Sequence, residues 1–188
     1  MKKNFLLFLS IILLIGISGC NKVSEITEEL KEVKIPVKIP YSTQLTLPDY
    51  LPILENPIPI ATPSTDTESA LKNLGHNLNK VERIEIEKFD LVLNAPEGGD
   101  LNFFNTIQIF IVAEGLDEVL LAEKTVPESE AQLAQISLDC KNTDILAYFK
   151  KPEFTLRALV TTDREVTEKY VIDAKSVFRV DVKILGQL

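Results

Sequence analysis

The sequence predicts an all-β protein, an antiparallel β-sandwich with one short helix and a proline-rich N-terminal segment that supplies edge strands. Three observations carry that expectation. Apolar and polar residues alternate over short stretches, as in Ala134, Ile136, Leu138, Cys140 and again in Phe154, Leu156, Ala158, Val160. A period of two is the mark of a strand with one buried face. Turn-forming groups such as Glu114-Gly115-Leu116-Asp117 and Thr162-Asp163-Arg164-Glu165 separate the stretches, at a spacing of roughly eight to twelve residues that suits a sandwich. Finally, Pro36, Pro40, Pro48, Pro52, Pro57, Pro59 and Pro63 exclude a long helix from that part of the chain.

The elements follow in chain order. Val33, Ile35, Val37, Ile39 and Tyr41 alternate with polar residues or proline, and Ile53, Leu54, Ile58 and Ile60 continue the apolar content. Disordered linkers lack this much apolar surface, and proline is tolerated on a sheet edge, where its missing N–H is not needed. Edge strands are therefore expected near Val33–Leu47 and Ile53–Thr62. A helix is expected over Ser64–Leu78. Thr65 and Glu68 have capping-box spacing, Ala70, Leu71 and Leu74 form an apolar stripe, and Gly75 is a C-terminal stop. Val81–Leu93 reads as a strand whose apolar parity changes between Ile86 and Phe89, which predicts a bulge. Thr106–Ala113 is nearly all apolar, as a central strand is, and Glu118–Lys124 follows the Gly115 turn. Ala134–Cys140 reads as one strand. Thr143–Lys151 reads as a short helical connection ending before Pro152. Phe154–Val160, Thr167–Ala174 and Phe178–Ile184 complete the sheet content, the last after a second change of parity.

The first 19 residues have a different character. Met1-Lys2-Lys3-Asn4 is a short basic start, and Phe5 to Ile15 is apolar but for Ser10. That run is shorter than the ~20 residues of a spanning helix. Ile17-Ser18-Gly19-Cys20 then matches the lipobox of bacterial lipoproteins, an aliphatic residue and two small ones before cysteine. Small residues let an extended chain enter a tight peptidase site, and the thiol is the group that takes diacylglycerol as a thioether. The match implies cleavage by signal peptidase II between Gly19 and Cys20 and lipid attachment, palmitate among the acyl groups, at Cys20. Two or more acyl chains anchor stably where one alone is marginal. The expected organisation is a lipoprotein signal peptide at 1–19, a polar tether at 20–32 and a β-sandwich domain at 33–188, with proline-rich edge strands at 33–63. Asn21 is not the aspartate that retains lipoproteins at the inner membrane in Gram-negative sorting. The expected location is accordingly the cell envelope, at the outer membrane.

Charge and composition narrow the chemistry. The net charge is −8, from 20 basic and 28 acidic side chains. Losing Lys2 and Lys3 with the signal leaves 18 against 28, a net −10. This balance argues against nucleic acid, which wants a basic footprint, and against electrostatic attraction to anionic lipid. His76 is the one histidine and sits beside Gly75 at a predicted helix end, where a cation suits the dipole. Cys140 would be the one unacylated thiol, on the apolar face of a strand, where it is expected to be inert. Glu97-Gly98-Gly99-Asp100 places two carboxylates on a loop, and Glu97 and Asp100 are weak candidates for calcium. Their spacing does not match an EF-hand, and a hairpin loop with Gly98 and Gly99 at positive φ is the expected structure. No cofactor is expected and no residue is nominated as catalytic.

Two stretches carry a resemblance. Asn105-Thr106-Ile107-Gln108-Ile109-Phe110-Ile111-Val112-Ala113-Glu114-Gly115-Leu116 and Glu153-Phe154-Thr155-Leu156-Arg157-Ala158-Leu159-Val160-Thr161-Thr162-Asp163 resemble segments of uncharacterised bacterial lipoproteins. Those proteins share a lipobox, a proline-containing N-terminal strand, a short helix and an immunoglobulin-like β-sandwich. The resemblance implies fold and location and carries over no functional position. The function expected is that of a lipid-anchored envelope protein, non-enzymatic, serving in interaction or structure through a protein or glycan partner. A glycan-binding module would use exposed tyrosines, drawn from Tyr41, Tyr50, Tyr148 and Tyr170. An envelope hydrolase would bring two acids together in a cleft.

Overall fold

A computed structural model describes residues 32–53, 55–60, 66–73, 75–128 and 131–185. The signal, the lipobox and nearly all of the expected tether lie outside the described residues, as do Leu54, Thr65 of the expected capping box and Leu74. The architecture lies in the unit Lys34–Lys183. Its strands are β1 (Glu32–Thr46), β2 (Glu55–Ile60), β3 (Val81–Ala95), β4 (Phe104–Val112), β5 (Val119–Thr125), β6 (Gln135–Ser137), β7 (Asp139–Cys140), β8 (Thr155–Thr162) and β9 (Val171–Leu185). Among the described residues there are also two short helices, α1 (Asp66–Asn73) and α2 (Leu146–Phe149), and a 3-10 turn at Leu78–Lys80.

The strands form two sheets, one in the order β1-β9-β3-β6 and the other β2-β8-β4-β5-β7. Every strand pair with a recorded register is antiparallel. The inner faces meet in one core. Ile84, Ile86, Phe89, Leu91, Ile172, Phe178, Val180 and Val182 come from the first sheet, and Ile58, Ile60, Ile107, Ile109, Ile111, Leu156 and Val160 from the second. The protein is thus an all-β sandwich. Burying such side chains contributes about 1.5–3 kcal/mol each, so the alternating pattern is what sets which face turns inward.

The proline-rich segment supplies two edge strands, β1 in one sheet and β2 in the other. Ile39, Leu45, Ile58 and Ile60 on these strands are buried, as are Leu47 and Leu51 between them. In β2 the prolines alternate with the residues that face the core: Pro57 stands opposite Leu159 and Pro59 opposite Arg157. Proline cannot donate, so the N–H groups serving β8 are those of Asn56, Ile58 and Ile60, and Pro57 and Pro59 turn their nitrogens to the free edge. That edge is poorly equipped to pair with another chain.

The expected bulge in β3 is present, with a register shift between Ile86 and Lys88 against β9, and others lie at Val81/Arg83 and Leu93/Ala95. The extra residue between Ile86 and Lys88 makes the strand's own parity slip, so the core-facing set passes from Ile84 and Ile86 to Phe89 and Leu91. The second expected parity change, before Phe178, is not there. β9 runs unbroken from Val171, and Ile172, Ala174, Ser176, Phe178, Val180 and Val182 are all buried on one face. Ser176, a polar residue facing inward, obscured the continuity.

Ala134–Cys140 is two strands rather than one. β6 pairs with β3 through Leu91 opposite Ile136, and β7 pairs with β5 through Ala122 opposite Cys140. Leu138 is the corner, buried, with its N–H donating to Phe89 O at 2.9 Å. The two-residue period survives because a strand can change sheets without changing which side chains face the core.

The expected helix and the expected short helical connection both have helical counterparts among the described residues. α1 is shorter than Ser64–Leu78. It stops where Gly75 takes φ +77°, with His76 N–H donating to Leu71 O at 2.8 Å and Gly75 N–H to Lys72 O at 3.0 Å. This is the Schellman arrangement, which favours glycine because a Cβ penalises positive φ. α2 falls inside the expected helical connection at 143–151. Asp144 Oδ1 accepts from Leu146 N at 3.0 Å and from Ile84 N at 3.2 Å, tying the helix start to β3. Phe149 packs on Phe154 and Phe178, with ring centroids 4.7 and 5.4 Å apart. At the opposite end of β8, Phe103 packs on Phe104 and Tyr170 at 4.3 and 4.8 Å.

Candidate functional site

The two outer faces of the sandwich have different chemistry. On the four-stranded sheet, basic and acidic side chains pair across strands and, for Arg83 and Glu85, along β3 itself. Glu82 lies 2.6 Å from Lys34 and 2.8 Å from Lys183, Glu87 lies 2.5 Å from Lys38, and Glu85 lies 2.7 Å from Arg83 and 3.6 Å from Arg179. Exposed pairs of this kind contribute only about 0–1 kcal/mol each. Their effect is on solubility, since they leave the face charged and wetted.

The five-stranded sheet is less polar outside. Registers place Pro59, Arg157, Phe110 and Leu120 in one row across β2, β8, β4 and β5. A second row runs Pro57, Leu159, Gln108 and Glu123. Between the strands lies a shallow groove of ≈ 240 Å³ lined by Pro57, Pro59, Val112, Thr155 and Arg157. The Arg157 guanidinium sits 5.1 Å from the centre of the Phe110 ring and donates through Nε to Glu118 Oε1 at 2.8 Å. Stacking and ion pairing together fix its orientation. The lining offers an apolar wall, a hydroxyl and a guanidinium. That set is suited to holding an apolar side chain against a sheet; it does not include a nucleophile with a base beside it.

The loop nominated for calcium is built on hydrogen bonds. Asp100 Oδ1 accepts from Asn102 N–H at 2.9 Å and Leu133 N–H at 3.0 Å, and Oδ2 accepts from the Asn102 amide at 3.0 Å. Gln132 Nε2 donates to Gly98 O at 2.7 Å and Gly99 O at 2.6 Å. The loop is therefore fastened to the segment 131–133. Burial alone would raise the Asp100 carboxyl, but the Leu133 and Asn102 donors and the Arg164 charge outweigh it and hold the group below its ordinary value. Glu97 is exposed and joins none of these bonds. Among the described residues no group of three or more His, Cys, Asp or Glu converges as a metal site would.

Two details differ from the hairpin expected. The loop connects β3 to β4, which lie in different sheets. Gly98 has φ +74°, as expected, whereas Gly99 is glycine for space, because a Cβ there would meet Pro96 O at 2.9 Å.

Asp90 is the other carboxylate of note, only 5% exposed on β3. Burial alone would raise it, yet Lys88 Nζ at 2.6 Å and the Ser137 hydroxyl at 2.8 Å, with Gln135, hold it below its ordinary value. The cluster joins β3 to β6. Nothing in the sequence pattern marks it, since Ser137 is 47 residues away.

The remaining candidates fall as follows. Cys140 is half-buried against the core, and burial, with Asp90 and Asp139 nearby, pushes its thiol up, away from thiolate chemistry. His76 is half-buried just past the end of α1. The tyrosines do not share a face: Tyr148 and Tyr170 are buried, Tyr41 packs against the core, and Tyr50 is exposed, donating to Glu165 Oε1 at 2.9 Å. Tyr148 spends its hydroxyl on the Asp117 carbonyl. Cys20 and Gly19 lie outside the described residues. The groove was not anticipated from the sequence. The only available signal was the pairing of outward Pro57 and Pro59 with the outward residues of Phe154–Val160, and that requires knowing the register. No protein-family model matches the chain, and no curated protein sequence matches it.

Proposed function

We propose that this is a lipid-anchored envelope protein, a non-enzymatic β-sandwich that acts by interaction or as a structural part, held at the outer membrane through Cys20. The observation that carries the reading is the sequence Ile17-Ser18-Gly19-Cys20 behind a short basic and apolar leader. Directly after such a leader, a cysteine is the residue whose thiol can take lipid as a thioether. The acidic balance of the chain is consistent with an anchor that works by acyl insertion rather than by charge. The interaction role is supported by the contrast of outer faces: one carrying a set of ion pairs, the other a groove walled by proline and valine beside an oriented guanidinium.

The test is Cys20→Ala in the producing cell, grown with a labelled fatty acid. The wild-type chain takes the label and fractionates with membranes, and the variant does neither. A variant that still takes the label and stays with the membrane overturns the proposal.

A further inference from the structure

We propose that the free edge of β1 pairs with the same edge of a second copy of this chain, antiparallel, about a two-fold axis at Gln44. The direction of the backbone groups along β1 is set by two independent observations. Leu47 N–H donates to Tyr170 O at 3.0 Å, so this residue faces β9. Burial alternates without a break from Val37 to Leu47, with the odd-numbered residues turned inward and the even-numbered ones exposed. In a strand, residues that share a face also share the direction of their N–H and C=O groups. The even-numbered residues therefore direct theirs away from β9, and among the described residues β1 ends its sheet. Pro36 and Pro40 are both even-numbered, which places their donorless nitrogens on that free edge.

The edge is thus guarded in its first half and open in its second. Pro36, Pro40, Lys34 and Lys38 supply the usual defences, prolines and lysines, over residues 34–40. From Tyr41 to Leu47 the chain reads Tyr-Ser-Thr-Gln-Leu-Thr-Leu, with no charge, proline or glycine and a high content of strand-favouring residues. Segments of this kind pair with their own copies. Pro40 and Pro48 stand at equal distance on either side of Gln44, so a two-fold there aligns the open windows and stops pairing at the same point on both sides. Ser42 then faces Thr46 of the second copy, Gln44 faces Gln44, and roughly six backbone hydrogen bonds form. Hydroxyl pairs across strands are favourable, and like charges do not meet within the window. The same axis brings Lys38 toward the segment of the second copy that carries Asp49, an opposite charge. A closed two-fold contact also uses up the edge, which an open strand would leave available for growth.

This inference goes beyond the envelope reading by naming a partner, and acylation of Cys20 does not depend on it. A failure of edge pairing would leave fatty-acid labelling of Cys20 unchanged.

The experiment uses the full chain carrying Cys140→Ser. Gln44→Cys is treated with a short bis-maleimide, and the product is located by mass spectrometry. A 44-to-44 cross-link between two copies is expected, since paired residues lie about 5.5 Å apart between Cα atoms. Lys38→Cys, treated alike, gives no 38-to-38 product. In a chain with Ser42→Cys and Thr46→Cys, a 42-to-46 product between copies is expected. Adding Gln44→Pro to that chain abolishes it while the melting temperature stays close to the parent's, because the lost N–H serves only the free edge and the lost side-chain bond to Asp173 Oδ1 is long, 3.4 Å, and exposed. A cross-link from residue 44 to a different polypeptide, no cross-link at all, or a 42-to-46 product that survives Gln44→Pro overturns the inference.

Discussion

Asp100 shows how a residue that invites a functional reading can be absorbed by structure. Its carboxylate accepts three hydrogen bonds and ties the loop to Leu133. Removing a charged acceptor from several donors costs about 1–3 kcal/mol, so Asp100→Ala is expected to lower stability by that amount in urea unfolding. Glu97→Ala is expected to leave stability unchanged. The pH dependence follows from the direction of the shifts. Asp90 and Asp100 are held below their ordinary values when folded. A depressed carboxyl contributes stability that is fully present above its unfolded value, about 3.9, and is lost as pH falls through the lower folded value. Unfolding free energy should be level in these two groups' contribution above about pH 4 and drop below it. The chain with both Asp90→Asn and Asp100→Asn should show a shallower acid limb. These carboxylates were not legible as structural from sequence, because their partners Leu133 and Ser137 are brought to them only by the fold.

At the scale of elements, period-two patterning located most strands and failed where the backbone did something that the pattern does not encode. The switch at Leu138 keeps the alternation while changing sheets, and a single inward serine at position 176 mimicked a parity change. The proline-rich segment was legible because its apolar residues alternate through the prolines, and the structure places it at both sheet edges. Leu47, between β1 and β2, is 1% exposed and holds β1 to Tyr170 through its N–H. Truncating a buried leucine costs about 2–5 kcal/mol, a large share of the roughly 5–15 kcal/mol that holds a typical domain. Leu47→Ala should therefore lower the melting temperature sharply. A chain beginning at Ser64 should not melt cooperatively, and amides of Val37, Ile39 and Leu45 should be protected from hydrogen exchange in the intact chain. Exchange of these amides at the unfolded rate would mean that β1 contributes nothing to the fold.

For the whole molecule, the account joins a sandwich with two unlike outer faces to an N-terminal cysteine expected to carry lipid. The site is less legible than the fold, and the reason is physical. A core is specified by local periodicity, whereas the groove of Pro57, Pro59, Val112, Thr155 and Arg157 takes residues from three strands and exists only once their registers are set. The proposed anchor is the reverse case, read from a short leader and the four residues Ile17-Ser18-Gly19-Cys20, all outside the described residues. The most direct test of the central claim is the intact mass of the chain extracted from the producing cell's membrane fraction. The account predicts a polypeptide that begins at Cys20 and carries the added mass of a diacylglycerol thioether, with or without a further acyl group on its amine. A chain that begins at any other residue, or one that begins at Cys20 with no added lipid mass, would contradict it.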